Sequence, residues 1–298
     1  MITKFGRRFL TSCIAGMNSF NKQSIAIGID STTPNVSGND TRLGFEFYRL
    51  PVSFGGIDIQ TVGGNTTYSV VYKTTIPQDV AGVIREIGLY PSSRTSVNNY
   101  DSQFIADFED NLLWTDSSSA NPPLVLTPTP RIGASMIQVT CTANTTKEFK
   151  SSVPFLDISG YSGNDSLTLA INQADLNLDY INVRFYSSDT SYYQVSFDGA
   201  DIDSGTGNKI LVRNLSTMTS VNSPGQLISK VSVFVAAKAG GATTVYFDGI
   251  RINDEDSFDP TFGIIARSTV SEIVKLSGRP LDIEYKLGIN FWWQDHKI

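Results

Sequence analysis

Histidine is nearly missing from this 298-residue chain: there is one, His296, close to the C-terminal end. A Ser/His/Asp or Cys/His device would have to draw on it, and a chain end does not hold a preorganised base. Cysteine is almost as scarce. Cys13 and Cys141 lie far apart, which is neither a disulfide framework nor a metal-binding spacing, so two reduced, partly buried thiols are expected. Charged residues make up only 17%, with a net charge of −6 and a pI near 4.8. The one basic run is Lys4, Arg7 and Arg8. No basic stripe is present to displace phosphate counterions, so no nucleic-acid partner is expected. No run approaches the roughly 18 apolar residues of a membrane span, so no membrane insertion is expected. The segment Arg7–Cys13 has only Phe9 and Leu10 where a secretory signal needs an apolar core of about 7–15 residues, and no signal is expected. A phosphate-cradling Gly-Lys-Ser/Thr motif is missing. Paired carboxylates work without histidine in glycosidases, but the acids of Asp198–Asp203 and Asp254–Asp259 sit in turns and read as solvated loops. These gaps lead to the expectation of a non-enzymatic protein.

What is present is apolar and turn-forming. Apolar residues make up 40%, and much of the rest is Ser, Thr, Asn and Gly, which suits short strands joined by polar turns. The length fits one large or two medium domains. The spacing of Ile2, Phe5, Phe9, Cys13 and Met17, widened by Leu10 and Ile14, predicts a helix within residues 2–18. Strands are predicted at Ser24–Ile29, Leu43–Val52, Thr67–Thr75 and Val83–Tyr90. The Ser- and Asn-rich residues 91–103 read as a linker.

A second block starts at Phe104. It predicts strands at Ser135–Thr142, Phe149–Ile158, Ser166–Ile171, Tyr180–Tyr186, Tyr192–Phe197, Lys209–Arg213, Leu227–Ala237 and Thr243–Ile252. Evenly spaced short strands argue for a sandwich of the jelly-roll kind. After the acidic turn Asp254–Pro260, apolar strands resume at Thr261–Ser268 and Leu281–Phe291. The latter alternates over eleven residues and needs a sheet to join. Pairing it with the first block yields a discontinuous domain, 1–103 with 258–298, into which 104–257 is inserted. The expected fold is mainly β: a discontinuous β-sandwich with a short N-terminal helix, plus an inserted antiparallel jelly-roll sandwich.

The first block holds Ile27-Gly28-Ile29, Pro34, then Leu43, Glu46, Arg49 and Val52, then Ile76-Pro77, Gly82 and Ile84-Arg85-Glu86-Ile87-Gly88-Leu89-Tyr90. In order and spacing it resembles the attachment domain of tail-fibre and baseplate proteins of contractile-tailed phages. Asp30 replaces the second glycine of that family's IGxG, and Tyr90-Pro91 replaces its usual Asp. The end of the chain, with Ala266-Arg267-Ser268, Lys275 and Gly278 to Tyr285, resembles the segment that follows the IREIGL strand in many phage structural proteins. There the two segments nearly adjoin; here about 170 residues intervene, as an inserted module would require. On a strand Arg85 and Glu86 point to opposite faces, so Arg85 is expected to pair with Glu46 or Glu284. Gly88 permits a bulge or a close approach.

The inserted block, with Asp107-Phe108-Glu109-Asp110, Trp114 and the closing strand Val245–Ile252, resembles carbohydrate-binding-type jelly rolls. In that family the first and last strands are neighbours and their acids often hold a structural calcium. Carried over, the resemblance implies Glu109 and Asp248, with Asp107 third, as partial calcium ligands; the alternative is turn-capping acids. It also implies a glycan site built on exposed aromatics, for which Trp114, Tyr161, Tyr186, Tyr192 and Tyr193 are the candidates. In Tyr192-Tyr193 the two rings face opposite sides of a strand. Trp292-Trp293 reads as an anchor, in the core or in a neighbouring subunit.

The resemblances together imply a structural protein of the virion, at the tail, baseplate or fibre base. It would attach through its split domain to other virion proteins, form a homo-oligomer and project the jelly roll. A receptor- or glycan-binding adhesin module facing host-surface glycan, and a head-decoration or neck protein, are the other implied roles.

Overall fold

The computed structural model describes residues 1–17, 23–62, 65–91, 103–116, 120–253 and 263–289. Trp292, Trp293, His296 and most of both expected linkers lie outside them. The chain opens with a helix, α1 (Lys4–Ile14). Strands follow at β1 (Ser24–Gly28), β2 (Glu46–Pro51), β3 (Ser53–Val62), β4 (Asn65–Ile76) and β5 (Gly82–Tyr90). Next come β6 (Gln103–Ala106), β7 (Thr115–Asp116), β8 (Leu124–Val125), β9 (Met136–Cys141), β10 (Thr146–Asp157), β11 (Ser166–Gln173) and β12 (Leu178–Tyr186). The series ends with β13 (Tyr192–Asp198), β14 (Gly207–Asn214), β15 (Thr219–Val221), β16 (Leu227–Ala237), β17 (Thr243–Asn253), β18 (Ala266–Lys275) and β19 (Leu281–Ile289). The protein is mainly β. Its contacts divide it into two compact units, Met1–Asn99 with Ser257–Ile298, and Tyr100–Asp256.

The split unit is a two-sheet sandwich. One sheet has the order β18-β5-β1-β2 and the other β19-β4-β3. Ile25, Ile27, Ile87 and Leu89 of the first sheet share a core with Tyr72, Ile76, Tyr285 and Leu287 of the second. Helix α1 starts where the Thr3 hydroxyl accepts the Gly6 N–H at 2.8 Å, an N-cap that satisfies an orphan donor. Phe9 enters this core. The far end of the expected stripe does not: Ile14 and Met17 are 80% and 78% exposed, and the helix stops at Ile14.

Three other expectations shift. The predicted strand over Leu43–Val52 is shortened to β2, and the chain turns at once into β3, an unpredicted strand. Gly55 and Gly56 hid it; they lie at a bulge, where Gly56 adopts a φ of +112° that side chains disfavour. The predicted strand at Thr261–Ser268 is displaced to β18, which runs through the polar stretch to Lys275 because β5 supplies its ladder. Strand β19 pairs with β4 from Leu281↔Ile76 to Ile289↔Tyr68.

The inserted unit is an antiparallel jelly-roll sandwich. Its sheets run β15-β13-β12-β16-β10-β7 and β14-β11-β17-β9-β8, with β6 also on β17. The alternation of β12 explains the packing. Ile181, Val183 and Phe185 enter the core, while Tyr180, Asn182, Arg184 and Tyr186 point the other way. Val195, Phe197, Val231, Val233 and Val235 join that core from β13 and β16.

Candidate functional site

The outward side chains of the β15-β13-β12-β16-β10-β7 sheet form ordered rows, because register places them opposite one another. Tyr192, Tyr186 and Lys230 make one row across β13, β12 and β16. Gln194, Arg184, Ser232 and Lys150 make the next, reaching β10. Ser196, Asn182, Phe234 and Glu148 follow. The rings of Tyr186 and Tyr192 lie 5.0 Å apart. The Arg184 guanidinium sits 4.5 Å from the Tyr192 ring and 4.1 Å from the Phe234 ring. Its Nε donates to Gln194 Oε1 at 2.7 Å, and Lys230 Nζ lies 4.3 Å from the Tyr186 ring. Aromatic faces, amides and charged groups thus share one open surface. That is the composition with which a protein holds a polar ligand having apolar faces.

Of the five aromatics expected to bind glycan, the structure brings two together on this face, Tyr186 and Tyr192. Tyr186 is largely covered by its neighbours, and Tyr192 is half-buried. Tyr193 turns inward against the core, its hydroxyl donating to the Pro224 carbonyl at 2.9 Å. Tyr161 lines a separate, mostly apolar cavity of about 120 Å³ with Ile158, Leu215 and Met218. Trp114 is a correction: at 3% exposure it is a core residue, 5.0 Å from the Phe108 ring and 5.3 Å from Phe149. Its large apolar surface is better removed from water than kept for a ligand. The sequence reading missed Asn182, Arg184, Gln194, Lys230 and Phe234. The period-2 alternation of β12 marked the first two as outward, but only the strand order reveals which residues of other strands stand beside them.

The implied calcium ligands are a second correction. Asp248, on β17, accepts the N–H of Arg131 at 2.9 Å and of Ile132 at 3.3 Å, and Arg131 Nε is 3.8 Å away. Glu109 accepts the Ala134 N–H with both oxygens at 3.0 Å and the Ser135 N–H at 3.1 Å. Asp107 accepts the Glu109 N–H. The carboxylates face hydrogen-bond donors, whereas a hard cation needs converging oxygens. Among the described residues no three acidic, histidine or cysteine side chains gather into a metal cage. These residues do not fit a calcium ion; Asp248 pins the 131–135 turn to β17, and Glu109 pins it to the segment after β6. Burial pushes the Asp248 carboxyl up to about 7, against the opposing pull of Arg131 and the two N–H groups.

In the split unit, the segments singled out by resemblance form one buried ionic network. Glu86 is fully buried and accepts the N–H groups of Gly44 and Phe45 at 3.0 and 2.9 Å. Arg267, from the distant β18, reaches Glu86, Asp30 and Asp40 at 2.9, 3.0 and 3.2 Å. Asp30, the departure from the IGxG pattern, is thus a partner of Arg267. Glu46 pairs with Arg49 through two bonds of 2.8 and 2.7 Å, and Arg49 lies 3.7 Å over the Tyr90 ring. Arg85 pairs with Glu272, correcting the expectation of Glu46 or Glu284, because β18 lies beside β5. Glu284 instead pairs with Lys73 and Lys286.

No protein-family model matches the chain, and no curated protein matches it either. Among solved structures, the family 11 carbohydrate-binding module of the cellulase Lic26A-Cel5E of Clostridium thermocellum superposes with a TM-score of 0.39 at 15% identity, over 52% of this chain and 95% of that one. A carbohydrate-binding module specific for non-crystalline cellulose, CBM28, gives 0.35 at 11% identity, over 52% and 96%. The enzymatically active domain of bacteriophage CBA120 tailspike protein 4 gives 0.29 at 9%, over 49% of this chain and 20% of that one.

Proposed function

We propose that this chain is a non-catalytic attachment protein of a bacteriophage particle, in which the inserted unit binds carbohydrate on the outward face of its sheet containing β12, β13 and β16. The observation that carries the binding half is that face: Tyr192, Tyr186 and Phe234 set among Asn182, Gln194, Arg184 and Lys230. Sugar rings offer C–H faces to aromatics and hydroxyls to amides, so one surface serves both. The test is a glycan array probed with the full chain. Binding that falls about tenfold in Tyr192→Ala supports the reading, since the loss of one stacking contact is worth roughly that much. Sugar release from any bound polymer would overturn the non-catalytic half.

The virion half rests on resemblance, supported by the way both resembling segments join one network through Glu86 and Arg267. We place the protein at the tail, baseplate or fibre base, with other virion proteins and copies of itself as neighbours. Mass spectrometry of purified particles should find it in a fixed copy number. Absence from mature particles would remove this half and leave the binding half standing.

A further inference from the structure

We infer that the ligand of this face is an acidic carbohydrate, whose anionic group is gripped by Arg184; this rests on the binding reading above and narrows it. Arg49, Arg85, Arg131, Arg213 and Arg267 each face a carboxylate within 4 Å. Arg184 has none among the described residues, although it is half-buried on a chain of net charge −6. Its protein partners are neutral: Gln194 on Nε, and the Tyr186 hydroxyl, 3.5 Å from Nη1. A guanidinium carries five N–H donors, so most of its fork is left for another acceptor.

The surroundings prepare that fork. The rings of Tyr192 and Phe234 flank the guanidinium and, with the Gln194 bond, hold it in place. A held fork loses less entropy when it meets the two oxygens of a carboxylate or phosphate. Lys150 stands in the same row, two strands away, with only Ser232 between. Lys230, in the neighbouring row, is paired at 3.2 Å with Asp189, whose side chain is almost wholly in water. Such an exposed pair is weak, and a ligand anion can compete with it. On this face Glu148 stands on β10, about 10 Å from β12, and Asp198, opposite Tyr180 and farther along β13, is paired with Arg213. Cations therefore outweigh acids where Arg184 sits.

The probes are a uronic-acid polysaccharide, the neutral polymer made from it by carboxyl reduction, and a phosphodiester-linked glycan, each titrated into the full chain by calorimetry. The uronate polymer should bind at least about tenfold tighter than its reduced form, with the preference shrinking as salt rises. Arg184→Gln should lose that preference, and Arg184→Lys, which keeps the charge without the fork, should recover part of it. A phosphodiester glycan that binds where the uronate polymer does not would support the anion grip and assign it to phosphate. Equal binding of the acidic and neutral polymers by the unaltered protein overturns this inference and leaves the carbohydrate reading intact, whatever the variants do. Failure of all glycans, including those of the array, overturns both.

Discussion

Single residues separate what packs from what faces outward. Trp114 and Tyr192 were equivalent candidates in the sequence, yet one ring is buried among Phe108 and Phe149 and the other lies on the open sheet face. Trp114→Ala should destabilise the inserted unit by about 3–5 kcal/mol in chemical denaturation, as core aromatic truncations do. Tyr192→Ala should change stability far less while lowering glycan affinity. Of the two uses expected of Gly88, a bulge or a close approach, the structure displays the close approach. A Cβ there would lie 2.7 Å from Ile264 Cδ1 and 2.9 Å from Leu43 Cδ2. Gly88→Ala should therefore cost about 1–3 kcal/mol, measured by the same unfolding assay. Asp248 predicts a pH dependence. Its folded pKa of about 7 lies above the unfolded value near 3.8, so the folded state holds the proton more tightly. Its contribution is fully favourable below about pH 4 and is lost as pH rises to 7, by at most ~4 kcal/mol. Denaturation from pH 4 to 7 should reveal that decline, and Asp248→Asn should reduce it, leaving the share of Glu86 and Glu109, whose carboxyls burial also pushes up.

At the scale of elements, strands with regular alternation were legible. Strand β16 spans the predicted Leu227–Ala237, and β12, β13 and β17 differ from prediction by no more than two residues at an end. Their apolar faces were dense enough to announce burial without knowledge of the partner. Strand β3 was not legible because its two glycines look like a turn, and β18 was not because half of it is polar. Both exist because a neighbour supplies hydrogen bonds, β4 for the first and β5 for the second. The join of β5 to β18 is also ionic, through Glu86 and Arg267. Arg267→Met should cost about 3–5 kcal/mol, since it strands a buried carboxylate, and adding Glu86→Gln should restore part of the loss. A double-mutant cycle measured on the split unit's unfolding transition tests this.

At the scale of the whole chain, each unit meets the connections on a pair of neighbouring strands. In the split unit, Leu89 of β5 stands opposite Ala266 of β18. In the inserted unit, Gln103 of β6 stands opposite Ile252 of β17. Paired strands lie about 5 Å apart, so within each unit the two strands next to the connections lie side by side. Replacing residues 100–256 with a short Gly/Ser linker should leave the split unit folded, seen by calorimetry as one remaining transition near its original temperature. By itself the sequence determined the β class, the strands with strict alternation and the opposition of Tyr192 to Tyr193. Those follow from composition and from a period of two, which are local. Only the tertiary structure decided that Trp114 is core, that Glu109 and Asp248 hold a turn, that Arg267 answers Glu86, and that Arg184 stands between two rings with no carboxylate partner among the described residues. Each of these depends on which strand lies next to which, and that order arises from long-range pairing that no local pattern encodes.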